Sequence, residues 1–370
     1  MSINLAKKYS KKVDERFYRE SQAKMATSNS YEFNGVDTVI VTSIPVSKMN
    51  DYARTGANRY GVPEDLQNSI QTMKVRKDRS FTFVIDKGNK LQDEMLLDAG
   101  KALSRQIREV VKPEFDAYVF GQAAENAVTA GHYDETAITK SNAYEAFLTA
   151  QETLGDNDVP DSGRIAFCSY KFANMLKLDP AFMKYGNMSQ EMILKGIIGE
   201  VDGTKIVKVP SSRLPGDCSF IMVHPSALVA PQQLTDYKIH DNPPGISGWL
   251  VEGRIIYDCF ALSQKLDALY YQGGSGRLGN LIISSAAAST SGKSVISVAG
   301  ASVPGTTLVY KTGTSETSVT YGMDVSSGWT TLPSDGIIQP TSGHTVIQVV
   351  AKDSAGKAKS VGKAALVVAS

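Results

Sequence analysis

Residues 78–86 read Asp78-Arg79-Ser80-Phe81-Thr82-Phe83-Val84-Ile85-Asp86. Phe81, Phe83 and Ile85 alternate with other residues, which places all three on one face of a strand. A helical pattern follows directly. Leu91, Met95, Ala99, Ala102/Leu103, Ile107 and Val110/Val111 keep the 3.6-residue period. Phe115, Tyr118, Val119 and Ala123 continue it beyond Pro113. The spacing predicts one helix from about Leu91 to Asn126. It should bend near Pro113, because proline removes a backbone bond and clashes one turn back. At ~1.5 Å per residue such a helix is roughly 50 Å long. A compact core of this size does not need that length, so the helix reads as a scaffold rod. Asp93-Glu94 near its start is favoured there by the helix dipole.

Moving toward the N-terminus, Leu66–Val75 and Val36–Ile44 also read as strands, with the irregular stretch Pro45–Asp65 between them. Together with Arg79–Asp86 they predict an extended two-stranded arm that has little of its own to pack on. Before it, Leu5–Met25 is a basic amphipathic segment. Seven Lys/Arg stand against three Asp/Glu, and Leu5, Tyr9, Val13 and Phe17 share a face. It is read as a solvated arm packing on a neighbouring subunit. No alternation of aromatic and basic residues marks a nucleic-acid platform.

Toward the C-terminus, helix and strand signals interleave. Helices are expected over Asn142–Leu154 and Ser169–Lys177. Strands are expected over Arg164–Cys168, Lys205–Val209, Phe220–His224, Tyr237–His240, Gly248–Ile256 and Ala268–Tyr271. Pro225 should start a short helix, Ser226–Ala230. This is a mixed α+β domain.

The composition then changes. Residues 275–370 hold 17 Ser, 11 Thr and 12 Gly but only seven Lys/Arg and four Asp/Glu. Gln272-Gly273-Gly274-Ser275-Gly276 opens this stretch and suits a flexible linker. Short apolar runs recur between turn signals at Ser294–Ala299, Thr307–Tyr310, Ser318–Tyr321, Thr345–Val350 and Ala364–Val368. They predict an antiparallel sandwich with Trp329 as a core anchor.

The totals exclude several classes. The 370 residues carry 39 Lys/Arg and 38 Asp/Glu, a net charge of +1. No bulk charge is available for coating nucleic acid or anionic lipid. No run of eighteen apolar residues predicts a transmembrane helix, and no apolar stretch near Met1 predicts a signal peptide. Cys168, Cys218 and Cys259 lack metal-type spacing and fit a reducing compartment.

Catalytic templates fail as well. Ser291-Gly292-Lys293-Ser294 ends like a phosphate loop, but Ala287 stands where the first glycine is needed. Gly245-Ile246-Ser247-Gly248 has the wrong spacing for a nucleophile elbow. His132, His224, His240 and His344 are scattered and read as structural. Asp156-Asn157-Asp158 lacks the glycine and distal glutamate of a calcium loop. No catalytic, cofactor or metal residue is assigned. Arms that cannot bury themselves within one chain imply burial against other chains.

These stretches carry a resemblance. Lys8-Tyr9-Ser10-Lys11-Lys12-Val13-Asp14-Glu15-Arg16-Phe17 resembles the N-terminal arm of tailed-bacteriophage major capsid proteins. Residues 78–86 resemble the end of their E-loop. Val111-Lys112-Pro113-Glu114-Phe115-Asp116-Ala117-Tyr118 is similar to the proline-bent middle of their spine helix. Phe220–Leu228 and Gly253–Asp258 look like strands of their axial and peripheral domains. The match spans about residues 5–272.

The resemblance implies a Hong Kong 97-type α+β fold. Its expected parts are an N-arm (1–30) and a shell domain (31–272), with an E-loop at about 36–86 and a spine helix at about 91–126, and with A- and P-domains to 272. A linker (273–279) and an immunoglobulin-like, all-β sandwich (280–370) follow. It further implies a non-enzymatic structural protein of the virion, made in the host bacterial cytoplasm. The chain would self-assemble into hexamers and pentamers of an icosahedral shell around double-stranded DNA, without sequence-specific binding. A portal and a separate scaffolding protein are expected partners. The Ser/Thr/Gly-rich loops of the sandwich suit weak sugar contacts, so host-surface glycans are a further expected partner, with a passive decoration domain as the alternative. Some relatives crosslink Lys to Asn. Lys48, Lys74 and Lys77 lie near the E-loop, but no motif supplies their partner. An encapsulin-type nanocompartment shell shares the fold and is the alternative. A surface glycan-binding protein is a further one.

Overall fold

A computed structural model of the chain describes residues 21–28, 31, 38–44, 46–63, 65, 68–88, 98–179, 200–299 and 303–369. The basic segment before Ser21, the predicted helix start over 91–97 and the strand start at 36–37 lie outside the described residues.

In chain order the first elements are β1 (Thr38–Ser43), β2 (Ser69–Lys74), β3 (Lys77–Asp86), α1 (Ala99–Gln106) and α2 (Lys112–Thr129). Next come β4 (Tyr133–Asp134), α3 (Ala143–Asp156), β5 (Ile165–Ser169), α4 (Tyr170–Leu178), β6 (Glu200–Val201), β7 (Thr204–Val209) and β8 (Phe220–Val223). The body closes with β9 (Leu228–Val229), β10 (Gln232–Asp241), β11 (Gly248–Tyr257), β12 (Phe260–Ala261) and β13 (Leu269–Gln272).

The centre is a mixed six-stranded sheet in the order β4-β13-β8-β5-β7-β6. All five residues of β5 are buried, because helices cover both faces. Ile165 and Phe167 point at α2, where Phe120 lies 4.9 Å ring to ring from Phe167. Ala166 and Cys168 point the other way, into the layer of Phe147, Leu154 and Phe172 from α3 and α4. Ser169 caps α4 by accepting from the Phe172 amide at 3.2 Å.

The long helix is continuous but changes type. Between α1 and α2 the five residues Ile107–Val111 form a π-turn, closed by the Lys112 amide donating to the Ile107 carbonyl. Pro113 has no amide to give, and its ring crowds the carbonyl one turn back. The wider turn places the discontinuity just before it. The bend predicted at Pro113 is therefore taken up by a π-turn.

One expectation is corrected. β3 does not belong to the arm. It pairs with β11, and β11 with β10, in a separate three-stranded antiparallel sheet. Phe81, Phe83 and Ile85 pack with Trp249, Val251 and the Ala99–Leu103 face of α1. Gly253 lets the Phe81 and Tyr237 rings close over it; a Cβ there would come within 2.4 Å of Phe81 and 2.8 Å of Tyr237. The arm consists of β1 and β2 alone, paired from Thr38↔Lys74 to Ser43↔Ser69.

The C-terminal unit comprises β14 (Gly279–Asn280), β15 (Ile282–Ala287), β16 (Ser294–Ala299), β17 (Thr307–Gly313), β18 (Thr330–Thr331), β19 (Ile337–Ile338), β20 (Val346–Lys352) and β21 (Ala358–Ala365). A five-stranded sheet, β14-β21-β20-β17-β18, packs on a three-stranded one, β15-β16-β19. Leu281, Ile296, Ile338, Ile347, Val349 and Ala351 fill the space between them.

Three further differences from the sequence reading lie here. Trp329 is not the anchor of this core. It is half-buried on the outer face of the larger sheet, beside Val309, Val325 and Val350, with the Lys311 ammonium 5.9 Å from its ring. Ser318–Tyr321 is not a strand. It belongs to an excursion over that outer face, held by Gln348, which donates to the Thr317 carbonyl (2.9 Å) and accepts from the Thr317 amide (2.7 Å). The glycine-rich stretch after Gln272 is bonded to the body. The Gly273 amide donates to the Asp134 carbonyl and the Ser275 amide to the Asp217 carbonyl. Its glycines serve close approach; a Cβ on Gly274 would collide with the Thr136 carbonyl.

Candidate assembly surface

Along β1 and β2 the side chains divide by face. Val39, Val41 and Met73 turn inward onto Val229, Leu262 and Phe260. Ile40 and Ile70 turn outward and stay exposed. The inner face is fixed by Gln71. Its amide donates to the Ala261 carbonyl (2.8 Å) and accepts from the Ser263 amide (2.9 Å), satisfying two backbone groups of the body.

At the root, Asp258 is fully buried. It accepts from the Arg76 amide (3.0 Å), the Arg76 guanidinium (3.1 Å), the Tyr118 hydroxyl (2.6 Å) and the Cys259 amide (2.8 Å). Burial and the Asp258 carboxylate both hold the Tyr118 phenol protonated, far above its ordinary range. Lys77 sits 5.3 Å over the Tyr118 ring, and burial lowers its pKa. Nearby Glu114 accepts from the Arg79 guanidinium (2.7 Å) and the Tyr257 hydroxyl (3.2 Å). The turn from arm to β3 is thus tied by polar contacts to α2 and to the end of β11.

The tip is the opposite. Val46 is 94% exposed, Met49 96% and Tyr60 84%. The loop closes on itself, with the Ala53 amide on the Arg59 carbonyl at 3.0 Å and the Tyr52 and Tyr60 rings 5.0 Å apart. Its apolar side chains nonetheless face water.

A second carboxylate, Asp116 of α2, fixes the first described residues. It is fully buried and accepts from Ser21 Oγ (2.6 Å), the Gln22 and Ala23 amides (3.0 and 3.2 Å) and Arg213 (2.7 Å). Sequence reasoning missed both aspartates. The available signal was a charge set inside an apolar run, Phe115-Asp116-Ala117-Tyr118 and Tyr257-Asp258-Cys259-Phe260, since such a charge survives burial only with partners.

The remaining residues weighed for chemistry stay apart. His224 bonds Ser226 (2.8 Å), His240 pairs with Glu252 (3.2 Å), His344 bonds Thr312 (2.7 Å) and His132 lies 3.5 Å from Asn157. Burial pushes the Cys168 thiol up to about 12. Among the described residues no group of three or more His, Cys, Asp or Glu is placed to hold a metal ion. No helix among them is long and apolar enough to cross a membrane. Lys48 and Lys74 are exposed, whereas Lys77 is half-buried over the Tyr118 ring.

The architecture is that of chains from phage capsid structures. A chain of Mycobacterium phage Che8 is 14% identical, with a TM-score of 0.61 over 72% of this chain and 96% of its own. The capsid structure of the cyanophage P-SCSP1u gives 13% identity and a TM-score of 0.57 over 72% and 92%. The mature capsid of bacteriophage PhiM1 gives 13% identity and a TM-score of 0.56 over 73% and 92%. No family model matches the sequence, and no curated protein matches it.

Proposed function

We propose that this chain is the major capsid protein of a tailed bacteriophage. Its copies form hexamers and pentamers that tile an icosahedral shell around double-stranded DNA. In this reading the arm is the E-loop of a Hong Kong 97-type subunit and the long helix is its spine. The A- and P-domains complete the shell domain to residue 272. Residues 280–370 are an immunoglobulin-like domain on the outer surface, contacting host-surface glycans. A portal and a separate scaffolding protein complete the particle.

The observation that carries the reading is the arm. Its root is locked by the buried Asp258 cluster and its inner face by Gln71, while its tip presents Val46, Met49 and Tyr60 to water. A chain that fixes an apolar finger in place is built to set it on another copy.

Electron microscopy of particles made with the scaffolding protein, followed by nuclease treatment, tests this. Closed shells with protected genome-length DNA are expected. Closed shells holding protein cargo and no DNA would give the nanocompartment instead. A monomer at 39.8 kDa at every concentration would end the shell reading altogether.

A further inference from the structure

The C-terminal unit meets the body at the loop between β7 and β8. A Cβ on Gly216 would come within 2.7 Å of the Lys359 carbonyl and 2.8 Å of Gly279 Cα, so two backbones touch there. The next residue, Asp217, holds a left-handed φ of 61°. One of its carboxylate oxygens accepts from the Gly276 amide (2.6 Å). The other accepts from the Tyr321 hydroxyl (2.6 Å) and the Lys359 ammonium (3.3 Å). Lys359 also lies 5.0 Å over the Tyr321 ring. Burial alone would lower the Lys359 pKa, but Tyr321 and Asp217 raise it above the ordinary lysine value. The Arg277 guanidinium donates to the carbonyls of Leu214 (3.3 Å) and Pro215 (2.9 Å).

Every residue from Arg213 to Ser219 is buried, though none belongs to a helix or strand. A buried irregular segment must find partners for its backbone groups; Arg277 partners the Asp217 amide and the Leu214 and Pro215 carbonyls, while Gly276, Tyr321 and Lys359 hold the Asp217 carboxylate. The loop in turn presents Arg213 to Asp116, the carboxylate that also binds Ser21, Gln22 and Ala23. The chain from Arg213 to Asp217 therefore links the contacts of the C-terminal unit to those that hold Ser21, Gln22 and Ala23.

We propose that the C-terminal unit is an internal brace, which fixes loop 213–219 through Tyr321 and Lys359 and thereby holds residues 21–23 on the long helix. The role concerns contacts inside one chain and is independent of shell formation or glycan contact. Tyr321 and Lys359 act as positioning residues, through Asp217 and Arg213.

Hydrogen exchange of the full-length chain carrying Tyr321→Phe and Lys359→Met tests it. Exchange over 213–219 and 21–26 should quicken roughly tenfold, while β5 and β20 keep their protection. Arg213→Met should loosen 21–26 equally and leave β20 untouched. If the double variant loosens β20, Tyr321→Phe alone takes its place, with roughly threefold faster exchange expected in the same two segments. Unchanged exchange over 213–219, or loosening there that never reaches 21–26, overturns the brace.

Discussion

Val46, Met49 and Tyr60 at the arm's tip keep more than four-fifths of their surface in water, whereas Ile347 and Val349 in the C-terminal unit are fully buried. Both regions project from the same three-layer body. A two-stranded ribbon has no second layer of its own, so beyond the stretch that rests on the body it can bury nothing. Two sheets packed face to face supply each other's second layer and close a core without outside help. The first region leaves its apolar tip uncovered; the second is complete and also makes a specific polar contact back to the body. Apolar residues alone do not announce an interface. What distinguishes the arm is that its apolar residues outrun the layers available to cover them.

The sharpest way to break this contrast is to replace 46–63 with a short Asn-Gly turn. The body should fold with an unchanged circular dichroism spectrum, and light scattering should show no shells or capsomers. Shells at the usual yield would mean that the tip is dispensable. Next in size is Asp258→Ala at the root. It strips a fully buried acceptor from Tyr118 and Arg76 and should cost about 4 kcal/mol in urea unfolding; a loss below about 1 kcal/mol would show that the arm is not anchored there.

Within the C-terminal unit, Ile347→Ala should cost about 3 kcal/mol and Trp329→Ala about half of that, because the tryptophan is only half-buried. The reverse ranking would restore Trp329 as the core anchor.

The body should also be sensitive to alkali. Cys168 keeps its proton in the fold up to about 12, but the unfolded chain releases it near 9.0. Its folded value is the higher one, so its contribution is whole below pH 9 and is lost as pH rises toward 12. The buried Tyr118 and Tyr257 phenols act in the same direction, above their ordinary value. Urea midpoints at pH 8, 10 and 11 should fall in sequence; a flat profile would contradict the burial of these groups. The smallest effect belongs to Asp78→Asn. Its carboxylate pairs with Arg254 (2.5 Å) on an exposed strand face, where solvent and salt screen the charges. No change in Tm is expected, and a shift of several degrees would mean that this face is covered.

Local periodicity was enough to read the long helix, β5, β7, β8, β11, β16, β17 and β20, because each keeps the apolar pattern of its own element type along its length. Two cues misled. Phe81, Phe83 and Ile85 have the alternation of a strand, but alternation does not name the partner. Only the fold brings β11 beside β3, from Tyr257↔Lys77 to Gly248↔Asp86. Trp329 is the largest apolar side chain of its unit, yet size does not say which side of a sheet it covers.

The helix, most of the strands and the compositional break near residue 275 were legible in the chain alone, since these depend on neighbours within a few residues. The tertiary structure decided the π-turn before Pro113, the membership of the arm, the burial of Asp116 and Asp258, and the strapping of Gly273–Gly276. Each of those depends on groups far apart in the chain that meet only once the layers have packed. A buried carboxylate stays charged only where several distant donors converge on it.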